Sequence, residues 1–243
     1  YIRPQDTKAL FAWPIAPSMT SFLLASAYFG GAYFFVRVVF EREWHRIAVG
    51  FLPVTTFAAL MLAATLLHWG KFTHGSVSFV TWVVLYATTP LLVFGVWLRN
   101  RSADPGGVEP RTREIPTAIR WIMGGLGALV FVIGLSLFVF PNVLIATWPW
   151  RLTPLTARVI GACFALTGVF GVVIANDRRW TAARVALQSQ ALGVVLILVG
   201  IVRAWSDFKS SNATTWFFVG GMSTLFVALV ALYVTFERRR WRI

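Results

Sequence analysis

TTWFFVGGMSTLFVALVALYVTF, residues 214–236, is a run of 23 residues without one charged side chain. Wound as an α-helix it extends about 35 Å, enough to cross the roughly 30 Å hydrocarbon core of a bilayer. Its apolar residues fall on every face, so it reads neither as a half-buried soluble helix nor as the alternating strand of a membrane barrel. Comparable runs recur at 18–40, 48–68, 77–98, 119–140, 155–175 and 183–204. The sequence therefore predicts an all-α polytopic transmembrane helical bundle of about seven helices.

Composition points the same way. Hydrophobic residues make up 58% of the 243-residue chain and charged residues only 13%, about half the charged share of a soluble domain. The formal charge of +13 sits in short arginine clusters between apolar runs rather than along a stripe, which argues for topology determinants and against a nucleic-acid partner. Cys163 is the only cysteine, so no disulfide and no multi-cysteine metal site can form within the chain.

With the N-terminus outside and the C-terminus in the cytoplasm, 15 of the 22 Lys and Arg residues fall on the inner side, as the positive-inside rule requires. Trp13, Trp69, Trp148, Trp150, Trp205 and Trp216 mark the outer ends of the runs. Trp44, Trp97, Trp121, Trp180 and Trp241 mark the inner ends, where amphipathic rings settle at headgroup level.

Residues 99–118, with Pro105, Gly106, Gly107, Pro110 and Pro116 among charges, read as a flexible cytoplasmic linker between two halves, 1–98 with three helices and 119–243 with four. The halves resemble one another. Pro4, Trp13 and Pro17 match Pro141, Trp150 and Pro154 at a separation of 137 residues, and after a one-residue slip Trp44 and Trp69 match Trp180 and Trp205 at 136. Both matches keep the same side of the membrane, which predicts a parallel internal repeat. Pro141 follows a transmembrane run and Pro4 does not, so the repeat further predicts a helix upstream of Tyr1 and a four-plus-four bundle.

Candidate sites are few. No ionisable group lies near the middle of a run, whereas coupled transporters and pumps place such groups there; Arg37, Arg158 and Arg203 lie close enough to helix ends to snorkel. Gln188 and Gln190 are the most polar embedded side chains, suited to interhelical hydrogen bonds or, with Thr55, Thr56, Thr88 and Thr89, to a candidate solute path. Pro53 and Pro90 are expected to kink their helices. His68 at the end of the second run could bind a pigment or haem, while His45 reads as solvated. Ala27 with Gly31, and Gly161 with Ala165 and Gly168, form small-residue faces for close helix packing. The last run lacks the lysine of a retinal Schiff base, and no hydrolase, zinc-protease or phosphate-loop motif is present.

Through Phe11-Ala-Trp-Pro-Ile-Ala-Pro17, Leu67-His-Trp69 and Trp148-Pro-Trp-Arg-Leu-Thr-Pro-Leu-Thr-Ala-Arg158, the chain resembles a group of uncharacterised bacterial multi-pass membrane proteins. The resemblance implies a bacterial cytoplasmic (inner) membrane and an extra first helix, and implies no activity. The sequence favours a non-catalytic accessory or structural subunit of a larger membrane complex, with the lipid bilayer and other membrane subunits as partners. The alternatives are a transporter or channel for a neutral or amphipathic solute, and a pigment or haem binder acting through His68.

Overall fold

The computed structural model describes residues 6–104, 106 and 114–237. Among these described residues, seven helices are long and apolar enough to cross a membrane. They are α1 (Ser18–Phe40), α2 (Phe51–Leu67), α3 (Val77–Asn100), α4 (Thr117–Val139), α5 (Pro154–Ala175), α6 (Trp180–Arg203) and α7 (Ala213–Glu237). The protein is an integral membrane protein built as an all-α bundle.

Local chemistry sets the helix ends. Ser76 caps α3 by accepting the Phe79 amide at 3.1 Å. Thr153 and Thr156 form a capping box at the start of α5, with Pro154 in the first turn. Helix α6 starts at Trp180, earlier than the apolar run at 183, because Asp177 holds both the backbone and the guanidinium of Arg179 just before it, each at 2.9 Å. A 3₁₀ turn over Ala48–Gly50 precedes α2, so Pro53 falls in the first turn of that helix. No intrahelical N–H bond is due there, which corrects the kink expected at Pro53. Pro90 does lie inside α3.

Helix α1 packs on α6 and α2 on α5, with α3 laid against α2 and α7 against α6. Helix α4 lies closest of all to its neighbour, on α5. A Cβ added to Gly134 would stand 2.7 Å from the Ala165 nitrogen, and one on Gly127 would stand 2.8 Å from the Gly168 carbonyl oxygen. Both obstacles are backbone, so only glycine permits this approach. In lipid, where apolar burial gains little, such close packing is the main source of helix adhesion.

At the end of the bundle carrying Trp13 and Trp150, the same contacts occur twice. Trp13 packs edge-on against Phe72 and Trp82 at ring separations of 5.0 and 4.7 Å, and Trp150 against Phe208 and Phe218 at 5.2 and 5.1 Å. The Thr73 amide donates to the Ala12 carbonyl at 2.8 Å, and the Lys209 amide to the Pro149 carbonyl at 2.9 Å. Both tryptophans are buried. One difference separates them. Trp150 Nε1 donates to Thr20 Oγ1 at 2.9 Å, whereas the buried Trp13 Nε1 has no partner among the described residues. The hydroxyl of Thr156, which matches Thr20, is engaged in the capping box.

The opposite end carries the arginines. Arg179 forms a forked pair with Asp104, both bonds 2.6 Å, and a further 2.6 Å bond to Asp177. The Ile115 amide donates to the Arg178 carbonyl at 2.7 Å. The two ends of the expected flexible linker are thus fastened to the α5–α6 turn; Pro105, Gly107 and Pro110 lie outside the described residues. Contact with Arg179 holds the Asp104 carboxyl down at about 2, and the two aspartates raise the Arg179 pKa. His45, expected to be solvated, is instead buried in the 3₁₀ turn Trp44–Arg46, which packs under α6.

Candidate functional site: a laterally open cavity

Packing α1 on α6 and α2 on α5 leaves a space between the halves. Its volume is about 770 Å³, within the range of small-molecule sites. Residues 136 positions apart line it in pairs. Ala27 and Cys163, Tyr28 and Phe164, Val54 and Gln190, Phe57 and Gly193, Tyr86 and Met222, and Thr89 and Leu225 all face it. Along α1 the lining runs from Leu23 to Phe35, a length of about 18 Å at helical rise.

The pairing stops at the mouth. Ala32, Phe35, Leu85 and Leu92 also line the cavity, but the residues 136 positions on from them do not. In the second half those positions include Gly168 and Gly171, which lie against α4. Among the described residues no helix takes the corresponding place beside α1, and Phe29, Phe35, Val36 and Val39 stand exposed there. Leu85 and Leu92 on α3 are exposed as well. Among the described residues, the exposed part of the lining thus lies on α1 and α3.

The walls are almost wholly apolar, with a few polar points. The hydroxyls of Tyr28 and Tyr86 lie 2.5 Å apart. Thr89 faces the cavity, and Gln190 Nε2 lies 3.5 Å from Thr167 Oγ1 across it. The Ser189 hydroxyl donates to the Gly30 carbonyl at 2.7 Å, which leaves it as packing. Such a surface suits a long apolar body with one or two hydrogen-bonding groups.

Of the candidate solute path, Thr89 and Gln190 line the cavity, as does Pro53. Thr55, Thr56 and Thr88 do not; their hydroxyls donate to carbonyls one turn back, at 2.9, 3.0 and 2.8 Å, the usual arrangement for threonine in an apolar helix. Gln188 points elsewhere, into a cluster with Tyr33, Arg37 and Tyr233. The cavity residues that sequence reasoning missed are Tyr28, Tyr86 and Cys163. A tyrosine in the middle of an apolar run was the available signal, because its hydroxyl needs a partner there.

His68 lies at the tryptophan end with Nε2 2.6 Å from Arg158 Nη1. Arginine is always protonated, so it donates and His68 accepts through Nε2, the nitrogen that a metal would otherwise use. Partial burial, Arg158 and Lys71 all lower the His68 pKa. His74 packs between Trp69 and Phe79 at ring separations of 5.5 and 4.8 Å. Among the described residues no group of three or more His, Cys, Asp or Glu side chains could hold a metal ion. Comparison with protein-family models, curated proteins and solved structures finds no match for this chain.

Proposed function

We propose that this protein binds a neutral or amphipathic, lipid-like molecule in the cavity between its halves and acts as a membrane carrier for it. The observation that carries this reading is the cavity itself: about 770 Å³, apolar along its length, with isolated hydroxyl and amide groups and with exposed lining residues on α1 and α3. Sites of this size and lining hold small ligands through apolar contact and orient them through a few polar atoms. Two matched halves around a shared path is also how repeat-built transporters arrange their substrate sites. The excess of arginine at the Arg179 end supports placing that end in the cytoplasm.

The test is extraction and mass spectrometry of small molecules retained by protein purified in mild detergent. Wild type is expected to keep one amphiphile near 1:1. Gly31→Trp places an indole in the cavity mouth, where an added Cβ meets nothing within 4 Å, and is expected to lose it. No retained molecule, or equal retention by the variant, defeats the reading.

A second reading, an accessory subunit of a larger complex, draws on α7. Only 6% of its apolar window is buried, and Gly220 and Gly221 lie on open surface, where a foreign helix could approach closely. A stoichiometric partner subunit in the same preparation, with an empty cavity, would favour it.

A further inference from the structure

Away from the cavity, at the arginine end, a polar cluster joins α1, α6 and α7. Arg37 Nη1 donates to Tyr33 Oη at 3.0 Å and to Gln188 Oε1 at 2.9 Å. Tyr33 donates to the same Gln188 oxygen at 2.9 Å, and Gln188 Nε2 donates to Tyr233 Oη at 3.0 Å. Snorkelling alone does not describe this arginine, because one nitrogen is turned inward and held by a neighbouring helix.

The cluster is unbalanced in charge and in hydrogen bonds. Every partner of Arg37 is neutral, and no carboxylate among the described residues lies within salt-bridge distance of it. Glu237, the acid of α7 nearest in sequence to Tyr233, is bound by Arg184 at 2.8 Å and Trp180 Nε1 at 3.2 Å. A guanidinium carries five N–H donors. The two on Nη1 are used, which leaves Nε and Nη2, the edge that binds a phosphate or carboxylate through two parallel bonds. A half-buried cation beside hydrocarbon is costly unless an anion meets it. Arg37 lies three residues from the end of α1, about 4.5 Å of helical rise, a depth at which lipid phosphates are within reach.

We propose that Arg37, oriented by Tyr33 and Gln188, is a binding site for the phosphate of an anionic phospholipid in the leaflet at the arginine end. The lipid sits between α1 and α7, over Gln188. The site is separate from the cavity and does not depend on the carrier reading. Arg37 supplies the charge and the fork. Tyr33 and Gln188 are positioning residues, and Tyr233 fixes the Gln188 amide so that its oxygen faces the arginine.

The test is native mass spectrometry and thermal unfolding in mild detergent, with phosphatidylglycerol, phosphatidylcholine or inorganic phosphate added separately. Phosphatidylglycerol is expected to stay bound and to raise Tm, phosphatidylcholine to do so at least about tenfold more weakly, and inorganic phosphate at millimolar concentration to do neither. Arg37→Gln is expected to remove the selectivity for phosphatidylglycerol, while Arg37→Lys, which keeps the charge but not the fork, retains part of it. Equal binding of the two lipids by wild type, or unchanged selectivity in Arg37→Gln, overturns the proposal. Displacement of the lipid by inorganic phosphate would mean a soluble-anion site and overturns it equally. The wild-type lipid series decides the matter even if a variant fails to fold.

Discussion

The tryptophan end and the arginine end of this bundle are built on different rules. At the first, each half makes the same aromatic packing and the same backbone bridge, Thr73 to Ala12 and Lys209 to Pro149. At the second, the strong polar contacts occur once. Gln188 has its match in Leu52 and Tyr33 in Val169 or Phe170, which have no polar side-chain atom, and Tyr233 in Trp97, which can donate a hydrogen bond but not accept one. Duplicated contacts answer a need that both halves share, the closure of a helical turn against a buried ring. Contacts made once answer a need of the whole molecule, and these are the places to look for specificity.

That contrast can be broken most forcefully at the tryptophans. Trp13→Ala and Trp150→Ala each remove a buried indole from an aromatic cluster and are expected to cost about 3–5 kcal/mol, read as unfolding in mixed micelles. Similar losses at the two sites support equivalence of the clusters, and a large loss at one alone refutes it. At the other end, Arg179→Leu leaves Asp104 and Asp177 without their shared cation and is expected to cost about 2 kcal/mol. Asp104 adds a pH signature. Its folded value, about 2, lies below the ordinary 3.8, so its contribution is present above pH 4 and is lost as pH falls toward 2. The variant should lack that acid-dependent component.

A smaller effect sharpens the comparison. Trp150→Phe forfeits the bond to Thr20, whereas Trp13→Phe removes a donor that has no partner among the described residues, so the first should cost about 1 kcal/mol more than the second. Equal costs would mean that the Thr20 bond contributes nothing. The smallest expected effect is at His68. Burial, Arg158 and Lys71 hold its pKa below the ordinary 6.5, so below that pH the unfolded chain takes up more protons than the folded one. Stability should fall as pH drops from about 6.5, then level off once the folded imidazole is also protonated. Tm measured at pH 8 and pH 5.5 reads this, and His68→Gln should flatten the difference.

The seven spans were legible because an apolar run of about 20 residues has few other fates; every one lies within a few residues of its reading. The boundary of α6 was misjudged because a polar contact, Asp177 to Arg179, starts the helix before the apolar run begins. The site was legible only in part. Thr89 and Gln190 were found because polar groups stand out in an apolar run, but Thr55, Thr56 and Thr88 share that signal and spend their hydroxyls on their own helix. Telling these apart needs the direction of each side chain, which spacing alone does not give when a helix is apolar all round. Gln188 and Arg37 are 151 positions apart in the chain, and nothing local to either announces the other.

The paired lining of the cavity has an evolutionary corollary. Neither half encloses the space by itself, since each supplies one wall. An ancestral polypeptide of half the length would have needed two identical copies, side by side and pointing the same way, to make one binding chamber. A single chain carrying both walls leaves each free to differ from the other, as Tyr86 and Met222, 136 positions apart, do.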